Sequence, residues 1–481
     1  MRPDSFDSIR GHEAAAGPGG SELPPSCYPK ELVKGEPEMT VRGPVLTLNN
    51  GVEMPAIGLG NVVVSAVAGG FAITFIGALA AANVPLLRVN DGGLTAGTAT
   101  VTTATSGGAT LTVSNAVNGT AIRKERKGKL TLSGNNTFTG ALTVNEGEVE
   151  AQHINALGAT AGSTTINNGA ALIYNFSGNV TAASEGLSIA GSGYLNNNTG
   201  ALRVVGGTAG TPTTVTQAGA VAVLSTAANV VWWVDANNTL TLPAATLGNN
   251  LALVKDGAGV LELSGTGNSG GTGTATYVNA GTLLLSKTGT GQAIPTHLVI
   301  GNNDGGAGAA MIKYSSTAGA STNQIVDAAN ITINRSGVLD FNGKTDTVAG
   351  ITIVDGQVIN SAGGGTLTAA GGLNMTGGSV STGTGILNLG NNVTINQFGG
   401  QATINGNLSL SNALRTFTVN DGPSLYDLVI NADITGGGAA GRFDKLGAGG
   451  INLTGNNFAL TGGNDKNGNP RHAAPSWKAP D

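Results

Sequence analysis

Charged side chains are scarce in this sequence. Asp, Glu, Lys and Arg supply 11% of its 481 residues, whereas about 25% is usual for globular domains. So few charges cannot hold a chain open by repulsion, which excludes a disordered polyelectrolyte. The formal net charge of −5 also argues against electrostatic binding of nucleic acid. We therefore expect no nucleic-acid partner.

Cysteine and histidine are equally few. Cys27 is the single cysteine, so no intrachain disulfide can form and the sequence has no cysteine pattern for zinc. The four histidines, at positions 12, 153, 297 and 472, lie far from one another, and none has a second metal ligand at a suitable spacing. We expect no metal site, no cofactor and no catalytic residue, and hence no enzyme.

The sequence also lacks a long stretch with the 3.6-residue apolar period of an amphipathic helix. It contains 79 glycines, without the strict three-residue period of collagen. Strands of three to six residues alternate apolar and polar side chains and end at Gly, Asn-Gly or Asp-Gly, as in NITINRSGVLDFNG at 330–343. This pattern predicts many short strands joined by tight turns.

Three segments share one wording: a glycine-led turn, alternating apolar positions, and Ser or Thr followed by Gly. They are GKLTLSGNNTFTG at 128–140, GAGVLELSGTGNSGG at 257–271 and GAGGINLTGNNFALTGG at 447–463. The first two are followed by ALTVNEGEVEA at 141–151 and ATYVNAGTLLLS at 275–286, which place two strands around an Asn-x-Gly turn. Internal repeats of this kind are typical of solenoids.

A parallel β-helix explains these features together. A short strand with one apolar face buries that face when it stacks on its equivalent one coil later, with roughly 20–25 residues per coil. The narrow interior suits aliphatic side chains, the corners need Gly or Asn, and equivalent Asn residues can form hydrogen-bonded ladders. The competing architecture is a string of antiparallel β-sandwich domains.

The chain divides into four predicted parts. Residues 1–45 hold seven of the 16 prolines and many charges, so we expect a disordered linker. Residues 46–91 form an apolar β segment, in which the uncharged stretch 61–87 favours strands, with a membrane anchor as the alternative. Residues 92–465 are the β-helix repeats, and 466–481 form a disordered tail.

Parts of the sequence resemble two known families. The units GKLTLSGNNTFTGALTVNEGEVEA, NALGATAGSTTINNGAAL and DKLGAGGINLTGNNFALTGG are similar to the autotransporter-associated β-strand repeat of type V secretion passenger domains. Separately, TLNNGVEMPAIGLG at 47–60 resembles the opening hairpin of aldo-keto reductases. This second resemblance stops before that family's catalytic residues, so it carries over no functional residue.

The passenger resemblance implies an all-β, right-handed parallel β-helix (β-solenoid) that is exported and displayed or released as an adhesin, spacer or envelope structural protein. It implies an extracellular or cell-surface location associated with the outer membrane. Neither a signal peptide nor an outer-membrane translocator barrel is visible in this sequence. The alternatives are a carbohydrate-active β-helix enzyme, either a lyase or a glycosidase, and a truncated or chimeric gene product without independent function.

We considered four groups of side chains as contact or catalytic sites. The adjacent Trp232 and Trp233 lie on opposite faces if their segment is a strand, and the outward ring is a candidate contact for surface carbohydrate. The expected partners are accordingly surface glycans or host and neighbour cell surfaces, together with end-to-end self-association through exposed strand edges. The other groups are predicted to be turns or solvated surface: Asp340, Asp346 and Asp355; Glu146, Glu148 and Glu150; and Arg123, Lys124, Arg126, Lys127 and Lys129.

Overall fold

The computed structural model describes strands between Val45 and Val113 and then residues 121–455, with gaps at 183–184, 225–228, 248–252, 272–274, 318, 321, 397–399 and 437–441. The predictions for residues 1–44 and 466–481 therefore lie outside the described residues. The chain forms two compact units, Met1–Ile57 and Gly58–Asp481. In the first unit, strands β1 (Val45–Thr47) and β2 (Glu53–Pro55) form an antiparallel hairpin.

The second unit opens with another antiparallel hairpin. Strands β3 (Val62–Val67) and β4 (Gly70–Phe75) pair along their full length. The strand prediction is thus confirmed for this part of 61–87. Among the described residues, no helix is long and apolar enough to cross a membrane.

Three long parallel sheets make up the rest of the described chain. We name them the central sheet, the first flanking sheet and the second flanking sheet. The 16 strands of the central sheet are β5 (Leu87–Arg88), β7 (Thr110–Val113), β9 (Lys129–Leu132), β11 (Gly147–Ala151), β13 (Ala170–Asn175), β16 (Leu202–Val205), β19 (Val230–Val234), β22 (Leu253–Asp256), β24 (Ala275–Val278), β26 (His297–Ile300), β28 (Asn330–Ile333), β31 (Gly350–Val354), β34 (Leu373–Thr376), β36 (Val393–Ile395), β38 (Leu414–Val419) and β41 (Arg442–Leu446).

The two flanking sheets cover the other sides of the coil. The seven strands of the first flanking sheet are β6 (Ala99–Thr102), β8 (Ile122–Glu125), β10 (Leu142–Val144), β12 (Ser163–Ile166), β15 (Gly186–Ile189), β18 (Val221–Val223) and β21 (Ala245–Thr246). The 15 strands of the second flanking sheet are β14 (Val180–Ala182), β17 (Thr213–Gln217), β20 (Asn238–Leu242), β23 (Val260–Leu263), β25 (Gly281–Leu285), β27 (Ala310–Tyr314), β29 (Gly337–Asp340), β30 (Asp346–Val348), β32 (Gln357–Ile359), β33 (Thr366–Ala369), β35 (Ser379–Leu389), β37 (Ala402–Ser409), β39 (Leu428–Ile430), β40 (Asp433–Thr435) and β42 (Ile451–Leu453). A short 3₁₀ helix at Tyr194–Asn196 lies between β15 and β16.

The register shows that each coil stacks on the next. Neighbouring strands of the three sheets are parallel, and paired residues lie between 19 positions apart, as for Thr110 and Lys129, and 35 positions apart, as for Val180 and Val215. This range is wider than the predicted 20–25 because some coils carry loops between their strands. The parallel pairing confirms the predicted β-solenoid, and it makes the β-sandwich alternative wrong.

The side of the coil that the first flanking sheet covers continues beyond β21 in irregular form. Backbone N–H groups of Leu247, Ser269 and Ile294 donate to the carbonyls of Gly270, Gln292 and Gln324 at 2.7, 2.8 and 2.9 Å. Strands β30 and β33 then take up this side, and β33 pairs with the second half of the long strand β35. The described coils therefore keep a three-sided cross-section after the regular strands of the first flanking sheet end.

The interior is a continuous column of aliphatic side chains. In the central sheet, Leu130, Val149, Leu172 and Leu202 are consecutive register partners, and each is at most 1% exposed. Buried residues from Ile122 to Ile451 belong to one hydrophobic cluster. Burial of such apolar surface is the main favourable contribution to stability, at about 25 cal/mol per Å² removed from water.

Asparagine ladders join several corners. The Nδ2 group of Asn167 donates to Oδ1 of Asn145 at 2.6 Å, and Asn431 donates to Asn405 in the same way at 2.9 Å. These pairs lie one coil apart, so the expectation of stacked corner amides is confirmed. Each ladder satisfies polar groups that a tight corner would otherwise leave with fewer partners.

Candidate functional site

The most unusual feature of the solenoid interior is a lysine. Lys255 occupies a core position of β22, where its register partners are Trp232 and Val278, and its side chain is fully buried. Its Nζ group donates to the carbonyls of Asp256 at 3.0 Å, Gly257 at 2.7 Å and Ala280 at 2.9 Å. The three donors of the ammonium are thus matched by three backbone acceptors, one of which belongs to the next coil.

The same arrangement occurs at Lys124, in the first flanking sheet. Its buried Nζ group donates to the carbonyls of Glu125 and Glu146, both at 3.0 Å, and to that of Arg126. At Lys445, Nζ donates to the carbonyl of Gly447. We call each such lysine, with the turn that follows it, a lysine corner.

Backbone geometry explains how one lysine reaches these carbonyls. The residue two positions after each lysine has a positive φ, which is 58° at Arg126, 76° at Gly257 and 83° at Gly447. This left-handed conformation turns the chain sharply and is easiest for glycine. In all three corners the lysine donates to the carbonyl of this residue.

An Asn-x-Gly turn in the next coil completes the first two corners. The backbone N–H of Asn145 donates to the Lys124 carbonyl at 2.8 Å, and its side chain donates to Oε1 of Glu125 at 2.6 Å. Asn279 makes the same two bonds in the second repeat. Its backbone N–H donates to the Lys255 carbonyl at 2.9 Å, and its side chain donates to Oδ2 of Asp256 at 3.3 Å. The two sequence motifs that recur along the chain are therefore two halves of one stacked corner.

Burial changes the acidity of both lysines. Desolvation lowers the pKa of Lys255 to about 7, although the nearby Asp256 carboxylate opposes this change. Desolvation also lowers the pKa of Lys124 to about 8, against the attraction of Glu146, Glu125 and Glu148. Since these side chains are buried and hydrogen-bonded to backbone, they have no route to a substrate. Their arrangement supports stacking of coils.

Comparison with known protein families matches the second corner completely and the first in part. The passenger-associated-transport-repeat family matches residues 127–151 and 253–285. The second match contains Lys255 with its Asn-x-Gly turn, and the first contains the strands and turn that close on Lys124. The chain is a β-solenoid that carries passenger-associated transport repeats. No curated protein and no solved structure matches it, and nothing in the comparisons supports the aldo-keto-reductase resemblance at 47–60.

The passenger-type repeat is tied to a corner of the coil, and it occurs on different sides of the solenoid. In the first repeat, β8 and β10 lie in the first flanking sheet while β9 and β11 lie in the central sheet. In the second repeat, β22 and β24 lie in the central sheet while β23 and β25 lie in the second flanking sheet. The second repeat therefore lies one side further around the solenoid axis than the first.

The two tryptophans of the predicted carbohydrate contact lie on opposite faces of β19. Trp232 is 0% exposed in the core, so the prediction of this residue as a surface carbohydrate contact is wrong. Trp233 is the outward, partly exposed ring. The guanidinium carbon of Arg203 lies 6.0 Å from its centroid, within the range of a cation–π contact. Asp235 accepts a hydrogen bond from its Nε1 and pairs with Arg203 at 3.0 Å.

The three aspartates considered together as a candidate site, Asp340, Asp346 and Asp355, do not share a site. Asp340 is buried and accepts hydrogen bonds from Ser361, with Lys313 paired to it at 3.0 Å. Asp346 is buried in a different network, whereas Asp355 is exposed in a turn with a φ of 56°. Among the described residues, no group of three or more His, Cys, Asp or Glu side chains is placed to hold a metal ion.

Two predictions of solvated surface are wrong. Lys124, from the basic run, is buried in its corner. Glu150, the last of the three alternating glutamates, is 7% exposed and pairs with Lys129 at 2.7 Å. Its side chain also accepts hydrogen bonds from Gln152 and Asn175. Neighbouring strands and loops supply these contacts, so the alternation within one strand does not reveal them.

Two buried polar networks were not predicted from the sequence. Tyr174 donates to Gln217 at 2.6 Å, and Gln217 in turn donates to the carbonyl of Glu185 at 2.8 Å. Tyr314 donates to Oδ2 of Asp346 at 2.7 Å. Burial raises the pKa of Glu185 to about 7 and that of Asp346 to about 6, although hydrogen bonds to each carboxylate oppose the change.

Proposed function

We propose that this passenger-type β-solenoid is a non-enzymatic protein, displayed on the cell surface or released, that serves as an adhesin, spacer or envelope structural component. The carrying observation is the lysine corner, which lies within one family-matched segment at Lys255 and three residues before the other at Lys124, in one continuous parallel stack. A column of this kind offers long outer faces and a rigid spacing between them. The absence of a carboxylate cluster among the described residues is consistent with this role.

Surface location is tested on intact cells of the native host. An antibody against the solenoid should label unpermeabilised cells or detect the protein in the medium, and added protease should remove the cell-bound signal. A cytoplasmic protein followed in the same samples must stay protected, which controls for lysis. Labelling only after permeabilisation would contradict the proposal.

The outward face of Trp233 is the proposed contact with surface carbohydrate. Its ring is partly exposed and held in place by Arg203 and Asp235, and a fixed aromatic ring can stack on a sugar without losing much side-chain entropy. Titration of oligosaccharides by calorimetry should show binding that Trp233→Ala weakens. The matched control is Tyr277→Ala, because Tyr277 is another partly exposed aromatic residue of the central sheet. Equal binding by both variants would remove Trp233 from the proposal.

A further inference from the structure

A cleft of about 540 Å³ lies where the second flanking sheet begins. Its walls come from the residues that follow β11 and β13, from the start of β14, and from Gly206 after β16. Strand β14 is the terminal strand of its sheet among the described residues. In the described chain, the coils that precede β14 have loops on this side of the solenoid. An open space remains where these loops are replaced by the strands of the sheet. Ligand sites are commonly of this size.

Polar groups on the cleft wall are fixed but retain free hydrogen-bonding capacity. His153 accepts the backbone N–H of Asn155 at its Nδ1 atom, at 3.1 Å, which leaves Nε2 as the proton-bearing nitrogen. Gln152 and Asn175 each donate one amide N–H to Oε1 of Glu150. Each therefore keeps its carbonyl oxygen and a second N–H for a ligand. Ser177 adds an exposed hydroxyl to the same wall.

The cleft carries no uncompensated charge. Its lining residues include no Lys, Arg, Asp or Glu. The neighbouring Glu150 is paired with Lys129. Burial opposes its ionisation, but hydrogen bonds from Lys129, Asn175 and Gln152 outweigh this effect and hold the Glu150 pKa below its usual value. A phosphate or carboxylate ligand would find no cation on the wall, and a cationic ligand would find no free anion.

Apolar surface lies beside these polar groups. Ile154 is 44% exposed, and Val180, which also lines the cleft, is partly exposed. Gly206 has a φ of 103°, and a Cβ atom there would lie 2.1 Å from the carbonyl oxygen of Phe176. This position therefore requires glycine, which keeps the wall free of a side chain. Alternating hydroxyl groups and C–H faces are the chemistry of a sugar ring.

We propose that this cleft binds a segment of a neutral oligosaccharide, with His153, Gln152, Asn175 and Ser177 as hydrogen-bonding residues and Ile154 as the apolar contact. The inference rests on the proposed function, since a displayed solenoid meets glycans at the cell surface. It assigns a site separate from Trp233, in different coils. An extended peptide that adds to the edge of β14 is the alternative occupant, and the experiment distinguishes the two.

The test is calorimetry on the full 481-residue chain with cellotetraose, chitotetraose and maltotetraose. At least one should bind with a Kd of about 0.1 to 1 mM. His153→Ala should weaken that binding by about tenfold, and Ser177→Trp, which fills the cleft from an exposed position, should abolish it. The matched control is His297→Ala, because His297 also accepts a backbone N–H at Nδ1, from Asn330 at 3.0 Å, on another part of the solenoid.

Three results would overturn the inference. They are no binding of any tetrasaccharide up to about 10 mM, equal weakening by His153→Ala and His297→Ala, and displacement of the sugar by an uncharged extended peptide with higher affinity. Binding that is lost in Trp233→Ala and retained in Ser177→Trp would refute the cleft while it supports the contact at Trp233. The cell-surface labelling is independent of all these outcomes, so failure of the cleft and failure of surface display are distinguishable.

Discussion

Replacement of Lys255 by Met tests whether a lysine corner joins one coil to the next. Methionine keeps the length and packing of the buried stem but removes the ammonium group. Three carbonyls, those of Asp256, Gly257 and Ala280, then lose their donor. Since Ala280 belongs to the following coil, we expect the variant to weaken the stacking of β24 and β25 on β22 and β23.

Two effects decide the size of the change. An unsatisfied buried acceptor costs roughly 1 kcal/mol or more, so the three carbonyls together amount to about 3 kcal/mol. Desolvation lowers the folded-state pKa of Lys255 from 10.5 to about 7. At low pH, where the lysine is charged, this desolvation reduces the free energy of unfolding. Between these values the unfolded chain binds more protons than the folded one, so the stability of the unmodified protein rises with pH. From pH 7 to 9.5 this gain is about 3 kcal/mol, and the Met variant lacks it.

Urea unfolding followed by tryptophan fluorescence measures this difference, because Trp232 is the register partner of Lys255 in the adjacent coil. The matched control is Lys344→Met, since Lys344 is partly exposed after β29. The difference in unfolding free energy between the unmodified protein and Lys255→Met should grow with pH, and the control should show no such growth. A pH-independent difference, or a variant as stable as the control at pH 9.5, would refute the role of the corner.

Two further predictions concern neighbouring features of the fold. Gly147→Ala should lower the unfolding free energy by about 1 to 3 kcal/mol, because a Cβ there would lie 2.4 Å from the Gly128 carbonyl and 2.5 Å from Lys124 Nζ; Gly178→Ala, whose positive φ faces open space, is the thermal-unfolding control and should lose less. Burial raises the Asp346 pKa from 3.8 to about 6, so its stabilising effect is complete only below the unfolded value of 3.8 and is lost as pH rises through 6. Asp346→Asn should remove a loss of about 2 kcal/mol between pH 4 and 6 in urea titrations; an unchanged pH slope would contradict the assignment.

The fold followed from the sequence because its determinants are local. Alternation within β9 and β23, and the Asn-x-Gly turns at 145–147 and 279–281, predict short strands and tight corners that only stacking can bury. The coil length was less predictable. Loops after β26 and β27 extend one coil to 33 residues between Leu298 and Ile331, and glycine-rich loops carry no periodic signal that measures how far the chain travels before it returns to register.

The candidate sites were predicted less well, since they depend on which coil lies next to which. Tyr314 and Asp346 are 32 residues apart and meet only because the single coil between them has a particular length, 27 positions from Ala310 to Gly337. Lys255 shows a signal that sequence reasoning could have used. Within the strand LVKD, alternation places it on the same face as the buried Leu253. A charged residue is nevertheless rarely buried, and one of the hydrogen bonds that make its burial tolerable is accepted by the carbonyl of Ala280 in the next coil.

These observations together explain why a repeat with fixed wording can serve a solenoid with coils of unequal length. Both repeats contain a strand that ends in a lysine corner, a second strand, and an Asn-x-Gly turn one coil later, although the first family match begins after its corner lysine. The chain between the second strand and the next coil forms the loops at 133–141 and, as far as it is described, 264–271. Because stacking is secured at the corner, the remaining side can lengthen or change its secondary structure, and the unit can shift from one pair of sheets to the next. In the two matched repeats the corner therefore keeps neighbouring coils in register while other parts of the coil differ.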